Sequence, residues 1–530
     1  MYIEPNTNMN LLKDVPLDNS YRNTIYFETL SEQTTYFTSK AKYRLVEYSY
    51  QRHSKGKCRI SKKAEDVFDC NYIMFQNESF GSKWFYAFIT NVEYVNDITC
   101  EITFEIDVMQ TWFFNYTLKQ CFVEREHTVT DEIGDNIVPE NVELGEYVYG
   151  VSRTIAPTLS TYYAIICVCD TDNIYARRID NNYIGCRLYA YLIEPEVEFN
   201  AFLDKIQSYT NKPNSIIMIY MCPSLFINGD DIDSSTHEIK HNTHSKSLTV
   251  ELLKINDKTS FGNYTPKNAK LYTYPYSFLS VHNAEGESLP LRYEFFNGKP
   301  YVEITGSILP PVQATVRPIN YKGYTDIVGD NLPLMTEQLT ISNYPLCSWS
   351  SDAFKEWFAQ NSVPVALNYG LTSAYLGASI YSGNVLGMIS GVNGLINETK
   401  NVISNGYQAS LRSDVCRGNI RSGNVNHANS RNTFYYSWVH ITEQYCKIID
   451  EFFTMYGYQT NRVKVPNRKA RDYWSYVKTK GCTIIPQMPT DDAKKICDIY
   501  DNGVTFWTKG DYVGNYSLDN SPIDKTVGTN

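Results

Sequence analysis

The sequence predicts a β-rich α+β protein with several domains. A chain of 530 residues is too long for one hydrophobic core, since single domains usually hold about 100–200 residues. Its 44 Tyr, 24 Phe and 7 Trp residues favour strands, because aromatic side chains pack well on a pleated surface. Between Ile98 and Asp107, apolar and polar residues alternate without a break, which is the period of a strand with one buried face.

The first predicted domain, residues 1–127, is built around a β-hairpin. An aromatic run at residues 83–94 precedes the alternating segment, and the Asn96-Asp97 pair between them is typical of a turn. In this interpretation the acidic residues of the second strand form a hydrated sheet face rather than an active site. These residues are Glu101, Glu105 and Asp107.

The central region, residues 128–350, is predicted to be β-rich as well. Short runs of β-branched and aromatic residues alternate with clusters of Asn, Asp, Gly and Pro, which are typical of strands joined by turns. One helix is predicted at residues 195–209.

The C-terminal part, residues 434–530, is predicted to be α+β. Apolar residues spaced three and four apart predict a helix over residues 434–456. A basic helical patch follows Pro466, with a hydrated helix face favoured over DNA contact. A second helix at 490–500 and a strand at 504–508 complete this part.

Charge and cysteine content exclude several classes of protein. The net charge of −10 makes the chain as a whole repel phosphate backbones, so a general nucleic-acid-binding protein is not expected. The 13 cysteines are odd in number and contain no C-x-x-C pair. We therefore expect reduced, buried cysteines rather than a disulfide framework or a zinc site.

The strongest compositional signal is an uncharged tract at residues 357–397, where 41 consecutive positions lack Asp, Glu, Lys, Arg and His. Its Asn, Ser, Thr and Gly content is too high for a conventional transmembrane helix. Gly383, Gly387 and Gly391 would line one face of a helix and permit close approach of a second helix. The uncharged tract and the basic stretch that follows it, residues 398–431, together resemble a membrane-insertion element. A long soluble loop or a tightly packed pair of soluble helices is the alternative.

One short motif suggests an enzyme. His237, Glu238 and His241 match the H-E-x-x-H pattern of zinc proteases, in which both histidines bind the metal and the glutamate activates water. Polar residues surround the motif, and the position of the usual third ligand holds Ser247. A solvated polar loop is therefore favoured over a metal site.

Two groups of motifs resemble the major tail knob, or distal tail tube, protein of Picovirinae-type short-tailed bacteriophages. The N-terminal group comprises residues 14–24 (DVPLDNSYRNT), 71–77 (NYIMFQN), 83–88 (KWFYAF), 104–112 (FEIDVMQTW) and 125–127 (REH). The C-terminal group comprises residues 456–458 (YGY), 461–464 (NRVK), 476–480 (YVKTK), 501–505 (DNGVT) and 515–517 (NYS).

The resemblance implies a structural virion protein at the tail tip, assembled in the host cytoplasm. Its expected architecture is a homohexameric ring of tail-tube-like β-sandwich or barrel domains, with residues 434–530 completing the tube. Expected partners are its own copies, an upper tail or lower collar protein, the host membrane during ejection, and genomic DNA passing without specific binding. Neither catalytic residues nor a cofactor or metal are expected.

The resemblance also assigns a role to residues 351–433. Family members carry an apolar loop before the C-terminal part, which occupies the tube lumen until ejection and then acts on the host membrane. Here that loop is expected to form or open a pore, with Gly383, Gly387 and Gly391 packing between helices. The expected membrane-interacting residues are Leu371, Tyr375, Leu376, Ile380, Val385, Leu386, Met388, Ile389, Val392, Leu395 and Ile396.

Two other functions remain open at this point. The first is a receptor-binding tail-tip adhesin whose central loops hold a wall polymer. The second is a zinc metalloprotease that uses the HEIKH sequence.

Overall fold

A computed structural model of the chain describes residues 7–48, 56–78, 81–156, 159, 161–169, 177–194, 196–209, 215–256, 258–283, 286–322, 337–342, 344, 346–349, 416–419 and 432–524. The chain divides into two compact units. Unit 1 comprises residues 1–145, 257–271 and 442–530. Unit 2 comprises residues 146–256 and 272–441.

Strands dominate the described residues. The first fifteen are β1 (Thr7–Lys13), β2 (Asn23–Ile25), β3 (Ala41–Tyr48), β4 (Lys57–Ile60), β5 (Cys70–Asn77), β6 (Phe85–Asn96), β7 (Thr99–Ile106), β8 (Tyr116–Leu118), β9 (Cys121–Glu126), β10 (Tyr147–Tyr149), β11 (Arg153–Thr154), β12 (Tyr162–Val168), β13 (Arg177–Ile179), β14 (Asn182–Ile184) and β15 (Arg187–Leu192). The others are β16 (Ile216–Pro223), β17 (Leu248–Glu251), β18 (Ser277–Asn283), β19 (Ser288–Leu291), β20 (Phe296–Gly306), β21 (Ala314–Tyr321), β22 (Leu339–Ile341), β23 (Leu346–Trp349), β24 (Cys416–Asn419), β25 (Phe434–Ile441), β26 (Tyr458–Lys464), β27 (Trp474–Lys480), β28 (Ile484–Pro486) and β29 (Val504–Trp507).

Helices are fewer, so the predicted strand-rich character is confirmed. Within the described ranges they are α1 (Leu30–Ser39), α2 (Ala64–Val67), α3 (Val108–Thr111), α4 (Glu196–Ser208), α5 (Glu443–Tyr456) and α6 (Thr490–Asn502). The side chain of Thr29 caps α1 by accepting the N–H of Glu32 at 3.2 Å, which satisfies one of the free donors of the first turn.

Unit 1 contains a six-stranded sheet in the order β3-β1-β5-β6-β7-β4. It includes the predicted hairpin, since β6 and β7 pair antiparallel, with the turn at Asp97 and Ile98, one residue later than predicted. Both faces of the sheet are covered by apolar residues: Tyr72 and Met74 of β5 join one buried cluster, and Ile73 joins the other. Successive side chains of a strand point to opposite faces, so this sheet has a core on each side.

The hydrated acidic face that the alternation predicted is found only at Glu105, whose side chain is 43% exposed and pairs with Lys495. Glu101 is only 8% exposed and accepts hydrogen bonds from Lys57 at 3.2 Å and Arg59 at 3.0 Å. Asp107 is 2% exposed, and its carboxylate caps α3 by accepting the N–H of Gln110 at 3.1 Å. Each of these acids is therefore ion-paired or caps a helix, which compensates for its loss of water contact.

A second sheet of unit 1 joins the two ends of the chain. Its order is β2-β29-β27-β9-β26, so that β9, from the N-terminal part, lies between two strands from the C-terminal part. β2 adds a parallel pairing with β29, in which Asn23 is opposite Thr505. Strands from the N-terminal and C-terminal parts of the chain therefore share one sheet.

Unit 2 contains three larger sheets. They run β10-β25-β18-β19, with β11 also paired to β25; β15-β12-β16-β23-β24; and β17-β20-β21-β22. β12 is buried along most of its length, from Tyr162 to Val168. Helix α4 buries Phe199, Phe202, Leu203 and Ile206, which confirms the helix predicted at residues 195–209.

The helix predicted over residues 434–456 is wrong in its first half. Residues 434–441 form β25, which pairs with β18 on one side and with β10 and β11 on the other. Helix α5 begins only at Glu443. The run FYYSWVHI is rich in aromatic and β-branched residues, and pairing on both sides outweighs a spacing that also fits a helix.

The basic helical patch predicted after Pro466 is also wrong. Residues 474–480 form β27 in the middle of a sheet. Arg471 is 4% exposed and lies 3.5 Å from Asp131, and Arg468 lies over the ring of Phe113, 5.0 Å from its centroid. These two arginines are structural groups of unit 1 and are not available to DNA.

Unit 1 holds a buried polar centre around the start of β26. Lys270 donates to Glu140 at 2.8 Å, with side chains 2% and 1% exposed, and Arg125 also pairs with Glu140. Beside them, the hydroxyl of Tyr458 donates to both oxygens of Asp131 at 2.7 and 2.8 Å. Burial lowers the pKa of Lys270, so its charge depends on the carboxylate beside it.

Gly457 connects α5 to β26 at a point where only glycine fits. Its φ is +65°, and an added Cβ would lie 2.3 Å from the carbonyl oxygen of Glu126. The carbonyl of Gly457 accepts a hydrogen bond from Arg125 at 2.6 Å. The backbone at the end of α5 is therefore in direct contact with the backbone at the end of β9.

Replacing Gly457 tests this close approach. Gly457→Ala should lower the free energy of unfolding by more than about 3 kcal/mol, since it adds a backbone clash to an unfavourable φ. Gly481→Ala is the matched control, because Gly481 has a φ of +68° but nothing within 4 Å of an added Cβ; we expect a loss of about 1 kcal/mol. Urea unfolding followed by tryptophan fluorescence measures both, and equal losses would contradict the steric argument.

His127 makes the stability of unit 1 sensitive to acid. Its ring is 2% exposed; Nδ1 accepts the N–H of Tyr476 at 2.8 Å, and Nε2 lies 3.2 Å from the carbonyl of Thr454. Burial, and then the charge of Arg471, lower the pKa of His127 from 6.5 to about 3. Because the unfolded chain takes up this proton first, stability falls as pH drops below about 6.5 and continues to fall towards pH 3.

We expect this histidine to cost about 2 kcal/mol of stability at pH 5 relative to pH 7. The variant His127→Gln should lose that part of the pH dependence in urea unfolding at the two pH values. Asp107 contributes a pH dependence of the opposite sign. Burial raises the pKa of Asp107 to about 6, so its stabilising contribution is lost as pH rises through 6. The variant Asp107→Asn should lose this contribution. An unchanged acid slope in His127→Gln would contradict the assignment.

Candidate functional site

The membrane-interacting residues predicted from the sequence lie outside the described residues. This holds for every position of that set between Leu371 and Ile396, and for Gly383, Gly387 and Gly391. Among the helices of the described ranges, each is too short or too polar to cross a bilayer.

The two sides of that segment are nevertheless fixed by described strands. β23 ends at Trp349 and β24 begins at Cys416, and these two residues are partners in an antiparallel pair. The pairing continues to Leu346 and Asn419, and β23 is joined to the rest of its sheet through β16. The last described residue before the segment and the first one after it therefore lie side by side in one sheet of unit 2.

The HEIKH sequence does not form a metal-binding helix. His237 has a φ of +58°, Glu238 forms a bridge with Tyr189 of β15, and Ile239 forms one with Ile232. The two histidines of a zinc protease lie on one helical turn, and this extended segment has no such turn. The prediction of a solvated polar loop is correct only in part, since Ile239 is fully buried.

One ring nitrogen of each histidine has a protein neighbour. Nε2 of His237 lies 3.2 Å from the carboxylate of Glu198, and its ring stacks on Tyr191 at 4.6 Å. Nδ1 of His241 accepts the backbone N–H of Arg178 at 2.9 Å. In the part of the chain that is described, there is no group of three or more His, Cys, Asp or Glu side chains arranged to hold a metal. The structure gives the metalloprotease hypothesis no support.

The motifs that carry the family resemblance meet inside unit 1. Asn71 bonds both backbone groups of Val15, at 3.2 and 2.6 Å, and so ties the first motif to the second. Gln110 donates to the hydroxyl of Thr24 at 2.9 Å. Motifs that are far apart in sequence are thus neighbours in space.

Contacts between the N-terminal and C-terminal motifs complete the arrangement. Arg125 and Gly457 are bonded as described above, and Glu126, fully buried, pairs with Lys464 and accepts the N–H of Asn467 at 3.1 Å. Within the C-terminal group, Asp501 accepts a hydrogen bond from the hydroxyl of Thr479 at 2.7 Å. These residues hold the shared sheet together, so their role in unit 1 is structural.

Sequence reasoning missed one feature of unit 2, which we call the aromatic–cationic cleft. It has a volume of about 360 Å³, and its residues come from four separate segments of the chain. Only their meeting in the fold reveals it, since no spacing in the sequence connects them. The residues that define it are Tyr274, Arg292, Phe295, Tyr321, Lys322 and Glu337.

Comparison with known proteins agrees with the resemblance. Residues 236–521, more than half of the chain, match the family described as the C-terminal domain of tail knob protein gp9 of Bacillus phage phi29. Residues 5–117 match the N-terminus of caudoviral major tail proteins. The tail knob protein gp9 of Bacillus phage PZA is 28% identical over 97% of this chain and 98% of its own length, and that of phage phi29 is 26% identical with the same coverage.

The fold agrees as well. The solved structure of the tail knob protein gp12 of bacteriophage C1 covers 97% of this chain and 99% of its own, with a TM-score of 0.65 at 15% sequence identity. These relatives are structural proteins rather than enzymes. The chain therefore belongs to the tail knob family of phage proteins and is a structural component of the virion tail.

Proposed function

We propose that this tail knob protein assembles as a homohexameric ring that forms the distal end of the tail conduit. In this proposal, residues 357–397 close the conduit before infection and enter the host membrane during ejection to open a path for DNA. An upper tail or lower collar protein would hold the ring, and the DNA would pass without being bound.

The observation that carries the proposal is the base of the segment, where β23 and β24 pair antiparallel. Backbone pairing at both ends lets the intervening residues leave the tail while unit 2 stays folded, because no strand of the core has to separate. The uncharged character of residues 357–397 removes the main cost of entering lipid, which is about 2.5–3.5 kcal/mol for each charged side chain at the bilayer centre.

Packing between copies would follow from the glycines. In lipid the backbone must satisfy its own hydrogen bonds, so the segment would become helical. Gly383, Gly387 and Gly391 would then lie on one helix face and let helices from neighbouring copies approach closely. A ring that supplies several copies at one point favours such contacts, since their local concentration is high.

The acidic balance of the chain supports the conduit role. A net charge of −10 is unfavourable for lasting contact with a phosphate backbone, because binding to DNA depends on neutralising phosphates with Lys and Arg. An acidic wall would let DNA slide past rather than adhere.

Dye release from liposomes tests the membrane role with the full-length protein. We expect release at neutral or mildly acidic pH, and a decrease of at least about ten-fold in the double variant Leu386→Lys, Ile389→Lys, since two lysines in lipid cost several kcal/mol. The matched control is Ile98→Lys, Val151→Lys, which adds the same charges at positions 69% and 82% exposed. Equal release by the first variant and the wild type would remove the role of residues 357–397.

The mass of the assembled protein tests the ring. Native mass spectrometry of the purified protein should give a particle near six times 61.0 kDa, since homo-oligomers usually close with point symmetry. A stable monomer, or a closed ring with another copy number, would contradict the hexamer without affecting the family assignment.

A further inference from the structure

The aromatic–cationic cleft of unit 2 is large enough to hold a ligand. Its volume of about 360 Å³ falls in the range of about 300–1,000 Å³ that is usual for small-molecule sites. Tyr274 precedes β18, Arg292 and Phe295 lie between β19 and β20, Tyr321 ends β21, and Glu337 precedes β22. Four segments of the chain thus converge on one concave surface.

Two cations lie against the rings of the cleft. The guanidinium carbon of Arg292 is 4.2 Å from the ring centroid of Tyr274 and 5.2 Å from that of Phe295. The ammonium of Lys322 is 5.5 Å from the centroid of Tyr321 and 5.8 Å from that of Phe295. A guanidinium that uses its flat face on rings keeps its N–H donors at the edge, where they suit a phosphate or a carboxylate.

Two carboxylates, Glu337 and Glu294, lie near the two cations of the cleft. Lys322 donates to Glu337 at 2.6 Å, with side chains 40% and 27% exposed, and such an exposed pair is worth only about 0–1 kcal/mol. The carboxylate of Glu294 accepts the N–H of Tyr274 at 3.2 and 3.3 Å. An incoming anion would therefore compete with the weak Lys322–Glu337 pair and with the attraction between Glu294 and Arg292.

The walls of the cleft are already held in place. The hydroxyl of Tyr321, whose side chain is 2% exposed, accepts the N–H of Arg292 at 2.9 Å. The N–H of Lys322 donates to the carbonyl of Phe295 at 2.7 Å, although Lys322 has a φ of +61°. A non-glycine residue in that region costs free energy and is often found at binding sites, and a site formed in advance loses less entropy when a ligand binds.

The chemistry of the lining identifies the class of ligand. Tyr274 is 38% exposed and offers an aromatic surface beside a cation, in a chain whose net charge is −10. An apolar ligand would make no use of the N–H donors of the two cations, and a bare anion would leave the aromatic surface in contact with water. A sugar ring that carries an acidic group satisfies both parts of the cleft.

We propose that the aromatic–cationic cleft binds an acidic sugar, with the ring against Tyr274 and the phosphate or carboxylate between Arg292 and Lys322. This proposal does not depend on the conduit or on the membrane segment. It would give the knob a direct contact with an anionic glycan, in addition to its structural role in the tail.

Calorimetric titration of the full-length protein with four probes tests the proposal: glucose 1-phosphate, glucuronic acid, glucose and inorganic phosphate. We expect at least one acidic sugar to bind with a Kd in the millimolar range or below, and glucose and phosphate to bind about ten-fold more weakly. Binding of the first probe alone assigns a phosphate-bearing sugar, and binding of the second alone assigns a uronate. The proposal is overturned if neither acidic sugar binds. It is also overturned if phosphate binds as tightly as the acidic sugar that binds best.

Variants show whether the cleft is the binding site. Arg292→Gln and Tyr274→Ala should each weaken the acidic sugar by about ten-fold or more, because each removes one of the two types of contact. Lys299→Gln is the matched control, since Lys299 is 55% exposed, pairs with Glu251 at 3.2 Å and does not line the cleft. Circular dichroism checks folding, and if Arg292→Gln does not fold, the exposed Lys322→Gln replaces it. Unchanged affinity in the folded variants places the ligand elsewhere and contradicts the proposal.

Discussion

The shared sheet of unit 1 is the constraint on which the rest of the structure depends. Strand β9 can complete its hydrogen bonds only when β27 and β26, made more than three hundred residues later, are in place on either side. An unpaired central strand would expose backbone donors and acceptors in a buried region, at a high cost in free energy. The two stretches of unit 2, residues 146–256 and 272–441, are therefore insertions into the sequence of unit 1.

The buried polar centre fixes the register in which the segments of unit 1 pack against one another. Hydrophobic contacts alone would tolerate small shifts of one segment past another, but the Lys270–Glu140 pair and the Tyr458–Asp131 bonds are satisfied in one register only. Removing one partner of such a pair leaves a buried charge, which is far more costly than losing an apolar contact. The centre joins residues from all three sequence segments of unit 1, and so specifies how those segments meet.

Much of the fold could be predicted from local pattern, and the errors have physical causes. The β6–β7 hairpin and helices α4 and α6 have periodicities that tertiary contacts reinforce. The segment that became β25 fits a helical spacing, but its neighbours in space decide its structure, and these are invisible in the sequence. Likewise, Arg468 and Arg471 look like a charged surface until the fold surrounds them with rings and Asp131. The aromatic–cationic cleft could not be predicted, since its residues are brought together only by the fold.

The antiparallel pairing of β23 and β24 has a consequence for how this family can diversify. With Trp349 opposite Cys416, the distance between the two ends of the intervening stretch is set by the sheet and not by the stretch itself. Lengthening or shortening it then changes loop-closure entropy by only about 0.6 kcal/mol for each doubling. The length and sequence of that stretch can therefore change while the two paired strands on either side of it keep their register.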